Sequence, residues 1–345
     1  MVPFYRTIIK KALSISWKNK WLWIVGFFAA FITQGSVYEV FVKTMGDISN
    51  QQSLYQALRD YSETGIFGFV SWANIRAIWQ GDFTALSMGL FLALLVACVF
   101  ALIISLGIIG QGGLIKSFVS LDKGKKVTFK ESLKTGVEKF WPILELNFIT
   151  KVIMVGFVLI LAYIVSILVA MTASISPWLY VLLLVVVCLI LVVAVIIITF
   201  ITLYGTAYIV LRDKNAFEAL RSAWNLFRKN ILVNIEMGFL LFIINILVVI
   251  GFTLVAFVAL SPFIILYFIA FVAGVKILAS VLAGIMFIGL LLLLVLIGSW
   301  YSTFQLGSWA VLFETLALEG GKPKLVRLVE HLIQKPSVKN KSVKK

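Results

Sequence analysis

Residues 128–141, TFKESLKTGVEKFW, place three lysines and two glutamates between two of the most apolar stretches of a 345-residue chain. Phe129, Leu133, Val137, Phe140 and Trp141 recur at helical spacing, and Lys130, Glu131, Lys134, Glu138 and Lys139 occupy the rest of the surface. Thr128-x-x-Glu131 opens the segment as a capping box, in which hydroxyl and carboxylate satisfy backbone donors that a first helical turn leaves free. The spacing predicts a short amphipathic helix in a membrane interface, apolar face down and lysines among the headgroups.

The membrane follows from what surrounds that helix. The chain is 62% hydrophobic and only 13% charged, about half the charge content of ordinary soluble domains. Residues 83–115, 175–211, 237–275 and 277–313 are free of Asp, Glu, Lys and Arg, and each exceeds the roughly 20 residues that cross a bilayer as a helix. Barrel strands would be about 10 residues long and alternating. The shorter apolar run at residues 21–32 follows a basic segment and reads as a retained first membrane helix rather than a cleaved leader.

A net charge of +15 in a soluble protein would point to nucleic acid; here its distribution points to topology, and no nucleic-acid partner is expected. Most of the 30 basic residues fall in four clusters: residues 6–20, 123–139, 212–229 and the tail from Lys322. Lys and Arg accumulate on the cytoplasmic side, so an even number of crossings separates successive clusters. The expected fold is therefore an all-α membrane protein with six transmembrane helices in three hairpins. Each hairpin is preceded by an amphipathic interfacial helix on the cytoplasmic side. Both termini lie in the cytoplasm, and the protein sits in the plasma (inner) membrane. The polar segment 34–82, with its aromatic stretch IFGFVSWANIRAIW, forms the outer loop. Residues 263–276, FIILYFIAFVAGVK, are apolar enough to be part of a span, but a seventh crossing would put the basic tail outside, so an interfacial or re-entrant segment after Ser261-Pro262 is expected.

Shifting the sequence by 87 residues aligns Thr128 with Asn215, Glu131 with Glu218, Phe140 with Phe227 and Asn147 with Asn234, without a gap. Asn215-x-x-Glu218 would be a second capping box, and Phe217, Leu220, Trp224 and Phe227 a second apolar stripe. ALSISW, residues 12–17, matches ALRSAW, residues 219–224, as a third copy without the box. Each returning helix carries a glycine and then an acid near its inner end: Gly113 and Asp122, Gly205 and Asp213, Gly307 and Glu314. The chain thus divides into pseudo-repeats at about 1–120, 121–212 and 213–318 in one transmembrane domain, with a basic cytoplasmic tail at 319–345. In the tail, Leu325, Leu328, Val329 and Leu332 form one more apolar stripe.

Polar residues inside spans are the first suspects for function. They are Lys116, Glu145, Asn147, Lys151, Asn234 and Glu236, a candidate intramembrane cluster for protons, ions or a lipid headgroup. The competing reading makes them interfacial or interhelical hydrogen-bonding residues, which is the commoner role of polar groups near helix ends. No H-E-x-x-H, G-x-S-x-G or Walker A sequence occurs. The single His331 lies in the tail, and Cys98 and Cys188 sit in apolar runs without metal spacing, so no cofactor or metal is expected. Gly107-x-x-Gly110-x-Gly112-Gly113 lies within a membrane helix and reads as a close-packing surface or a kink rather than a phosphate loop.

ALSISWKNKWLWIVGFFAAF, residues 12–31, and AFEALRSAWNLFRKN, residues 216–230, together resemble a group of bacterial polytopic membrane proteins related to the membrane domain of glycerophosphodiester phosphodiesterases. The resemblance covers most of residues 1–318 and implies a membrane scaffold or lipid-associated role. The His and acidic residues of a soluble phosphodiesterase domain are missing, so it implies no catalysis. The expected function is that of a non-enzymatic lipid-interacting or scaffold protein whose partners are membrane lipids, anionic headgroups at the inner leaflet, and a protein partner or second copy. The alternative is a transporter or permease subunit for a small solute, ion or lipid.

Overall fold

The computed structural model describes residues 4–33, 83–172 and 177–318, and every regular element among them is a helix. In chain order these are α1 (Phe4–Lys18), α2 (Trp21–Thr33), α3 (Phe83–Asp122), α4 (Phe129–Glu138), α5 (Phe140–Thr172), α6 (Pro177–Arg212), α7 (Ala216–Lys229), α8 (Ile231–Val272) and α9 (Lys276–Leu318). Five of them, α3, α5, α6, α8 and α9, are long and apolar enough to cross a membrane. The chain is a multi-pass membrane protein. The expected sixth crossing begins in α2, whose apolar part, Trp21–Ala30, is shorter than a span. The outer loop and the basic tail lie outside the described residues.

Burial divides the long helices into two halves. The buried positions of α3 run from Gly107 to Val119, those of α6 from Phe200 to Val210, and those of α9 are densest from Ser299 to Leu316. Here α3, α6 and α9 touch one another and form a central trio. Toward their other ends Leu90, Leu94 and Leu102 of α3, Leu182 and Leu189 of α6, and Phe287 and Leu292 of α9 are exposed. So many apolar side chains facing water would cost about 25 cal/mol per Å², so hydrocarbon has to cover this splayed half.

Around the trio, α2 packs on α3 and α9, α5 on α3 and α6, and α8 on α9, while Asn234 of α8 reaches α6 through Tyr204. The short helices follow the same order: α1 lies on α9, α4 on α3 and α7 on α6. Each contributes a buried pair of small residues four apart, Ala12 and Ser16, Ser132 and Gly136, Ala219 and Ala223. Small residues at this spacing let helix axes approach closely. A methyl group on Gly136 would collide with the Ile109 carbonyl, and one on Gly113 with Ser132. The same closeness brings α2 against α3, where a Cβ on Gly110 would lie 2.8 Å from the Val25 carbonyl oxygen. The glycines of α3 therefore act as the packing surface their sequence indicates.

In the short helices the small-residue line faces protein, while bulkier residues such as Leu13 and Trp17, Val137, and Phe217 and Trp224 of the apolar stripes are left exposed. One expectation gives way: no separate interfacial or re-entrant segment follows Ser261-Pro262. Pro262 lies inside α8, which continues to Val272, so residues 263–272 are the last turns of that helix and the chain reverses at Ala273–Val275. Proline is accommodated because a helix in hydrocarbon has no better alternative for its remaining backbone groups. Gly274, at φ 74°, makes the reversal.

The helix starts also separate the two best copies. At α4 the capping box is complete: the Glu131 amide donates to Thr128 Oγ1 (3.4 Å) and the Thr128 amide to Glu131 Oε2 (2.9 Å). Asn215 stands at the N-cap of α7, yet its side chain makes no cap hydrogen bond, so the second expected box is not formed. Helix α4 has 10 residues and α7 has 14, one turn more. The gapless alignment consequently fails at the junctions: Asn147 is the eighth residue of α5, whereas Asn234 is the fourth of α8.

Candidate functional site

The six candidate residues do not assemble into one cluster. Lys116, Glu145 and Lys151 are exposed, on α3 and α5, and no ion pair joins them to one another or to Glu236 among the described residues. Asn147 is buried, but its Nδ2 donates to the Ile143 carbonyl of its own helix (2.9 Å). Asn234 is wholly buried: the Tyr204 hydroxyl donates to its Oδ1 (2.5 Å), and its Nδ2 donates to the Phe227 carbonyl at the end of α7 (3.4 Å). Glu236 accepts a short hydrogen bond from the Tyr5 hydroxyl of α1. Asn234 and Glu236 thus tie three elements, α6, α7 and α1, to the start of α8. That is the work of interhelical polar contacts in a membrane protein.

The acids noted at the ends of α3, α6 and α9 make a second, more regular set. Asp122 of α3 pairs with Lys11 of α1 (3.0 Å), Asp213 after α6 with Lys139 after α4 (2.5 Å), and Glu314 of α9 with Lys123 after α3 (2.6 Å). Glu314 also lies 3.6 Å from Arg212. Each of these three carboxylates is therefore clasped by a basic residue from another element. The Lys139 hydrogen bond and charge hold the Asp213 carboxyl below the usual carboxylate range, and Lys116 adds to this from a distance. Asp213 takes a left-handed backbone conformation, φ 53°, which Asp tolerates better than most residues, and so turns α6 into α7. Asp122 and Asp213 are open enough to water that their pairs fix orientation more than they add stability.

The space between the helices is distributed unevenly. On the axis of the trio, Ile115, Tyr204, Ala207, Leu306, Trp309 and Ala310 leave a void of only about 10 Å³, which at best equals one water-sized sphere. The larger space, about 430 Å³, is a lateral groove between α8 and α9 closed at one end by tryptophans of α1 and α2. Trp17 meets Trp300 edge to face (6.1 Å between ring centres), and Trp23 donates its indole N–H to the Ser16 carbonyl (2.9 Å). Sequence reading missed this groove, because its walls are ordinary apolar residues from four helices that only the fold brings together. Among the described residues no three His, Cys, Asp or Glu side chains stand together as a metal site.

A family model described as Domain of unknown function (DUF7847) matches residues 8–293. The chain belongs to this family. The matched region holds α2 to α8, most of α1 and the splayed half of α9, and with them all six candidate polar residues and most of the groove. Nothing matches among the curated proteins or among the solved structures.

Proposed function

We propose that this chain is a non-enzymatic, lipid-contacting scaffold of the plasma membrane, with six crossings in three hairpins and both termini in the cytoplasm. Three copies of one unit, a short helix, an outward span and a long returning span, are arranged around the trio of returning helices. The exposed tryptophans support this placement. Trp17, Trp141 and Trp224 belong to the short helices and their junctions, and Trp178 stands at the far end of α6. Tryptophan concentrates at membrane–water boundaries. Phe200 of α6 packs on Phe227, which stacks with Trp224, so the two belts are separated by residues 178–200, about 33 Å at 1.5 Å per residue. A hydrocarbon core is about 30 Å thick. The packed half with its lysines then projects on the cytoplasmic side, in accord with the charge distribution, and anionic inner-leaflet headgroups are its expected contacts.

The closed axis of the trio carries the scaffold reading over transport. A permeation path for ions or solutes needs polar, water-sized space, and the centre holds an apolar plug instead. The test is reconstitution in vesicles loaded with a pH-sensitive dye, together with labelling of single cysteines in a Cys98→Ser, Cys188→Ser background. Lys134→Cys and Arg221→Cys should label from one face and Trp178→Cys from the other, with no proton flux above protein-free vesicles. Flux abolished by Glu236→Gln would replace this reading with transport.

A further inference from the structure

The groove between α8 and α9 has the features of a built site. Val248, Gly251 and Val255 recur on one face of α8, opposite Leu296 and Trp300 of α9. Its volume lies within the range of about 300–1,000 Å³ usual for ligand pockets. Gly251 sits in mid-helix, where glycine costs about 1 kcal/mol relative to alanine, and a Cβ there would meet nothing within 4 Å. No protein atom therefore demands a glycine at that position, and the space beside it is free. The indole nitrogen of Trp300 is buried among protein atoms and makes no hydrogen bond among the described residues. The turn that joins α1 to α2, and presents Trp17 and Trp23, also carries Lys18 and Lys20. Both lysines are exposed, and neither is ion-paired among the described residues. No acidic residue lines the groove.

We infer that this groove binds one anionic phospholipid, an acyl chain lying along Val248, Gly251 and Val255 and the phosphate end at Lys18 and Lys20. The inference deepens the scaffold reading and rests on it, since the groove must open to lipid. An acyl chain matches the walls, which are apolar along their length, and the paired lysines match a phosphate at a boundary where tryptophans gather. The lysines select the headgroup, whereas the groove decides whether one lipid stays.

The full chain, purified in detergent from vesicles of equimolar phosphatidylcholine and phosphatidylglycerol, tests this by native mass spectrometry. Wild type should keep one phosphatidylglycerol. Gly251→Phe, whose Cβ would meet nothing within 4 Å, should lower retention about tenfold while the melting temperature in lipid-free detergent is unchanged; Gly251→Leu serves as a second, smaller plug. Lys18→Gln with Lys20→Gln should keep a lipid but lose about tenfold of the preference for phosphatidylglycerol. Undiminished retention in both plug variants overturns the groove, and equal retention of the two lipids by wild type overturns the headgroup assignment. A lipid-free wild type that runs as a dimer assigns the groove to a second copy instead. If phosphatidylglycerol raises the melting temperature of wild type and Gly251→Phe equally, the groove fails and the scaffold reading stands; no rise in either removes both.

Discussion

Helix α9 passes through two environments. From Ser299 to Leu316 it is flanked by α1, α2, α3 and α6 and almost every side chain is buried, whereas from Ile277 to Leu296 its large apolar residues are mostly exposed. Composition does not separate the two stretches in the expected direction. The packed one carries Ser299, Ser302, Thr303, Ser308 and Glu314, whereas the exposed one has thirteen leucine, isoleucine and valine residues among twenty and a single polar side chain, Ser280. In hydrocarbon, leucine gains nothing by leaving lipid for another leucine, so apolar residues do not draw helices together. Small residues and polar contacts do, as at Gly26, where a methyl would collide with the Thr303 hydroxyl, and at Thr303 itself, which donates to the Leu22 carbonyl (3.1 Å).

Glycine substitutions should break this contrast most sharply. Gly110→Leu forces α2 from α3 and should lower stability by about 3 kcal/mol or more, whereas Gly156→Leu or Gly298→Leu, where a Cβ meets nothing, should leave it unchanged. Thermal denaturation in one detergent compares them directly. Next in size, Tyr204→Phe strips the buried Asn234 oxygen of its donor and should cost about 1–3 kcal/mol. The matched control, Tyr163→Phe on the exposed face of α5, should cost nothing measurable.

Smaller effects sharpen the difference between the short helices. Thr128→Ala removes a formed cap and should cost about 1 kcal/mol, while Asn215→Ala removes none and should be near neutral. Equal losses in the two would show that the α7 cap forms in solution. The smallest effect belongs to Asp213. Its carboxyl is held low by Lys139, so the pair's contribution is complete above the ordinary carboxylate range and fades as pH falls through the lowered value. Lys139→Gln should remove that acid-limb dependence and leave stability at neutral pH almost as it was, a comparison that melting curves across pH would make.

Much of this architecture was legible in order and polarity. The capping box at Thr128, the close packing of α3 through Gly110 and Gly113, and the acids at the ends of α3, α6 and α9 all stand at the residues that announced them. The site was less legible. Lys116, Glu145 and Lys151 are alike in sequence to Asn234 and Glu236 as polar interruptions of apolar runs. Only helix rotation separates those turned outward from those bonded to Tyr204 and Tyr5. The gapless alignment concealed one extra turn in α7, because the N-caps correspond and the junctions do not.

Sequence alone determined that this chain lives in a membrane and where its charged segments interrupt the helices, because charge-free length and the placement of lysine are properties of the chain itself. Tertiary structure decided which half of each long helix packs, that only a small void remains at Ile115, Tyr204 and Trp309, and that tryptophans distant in sequence end the same groove. In lipid those outcomes depend on which small residue meets which backbone across an interface, and no single helix carries that information.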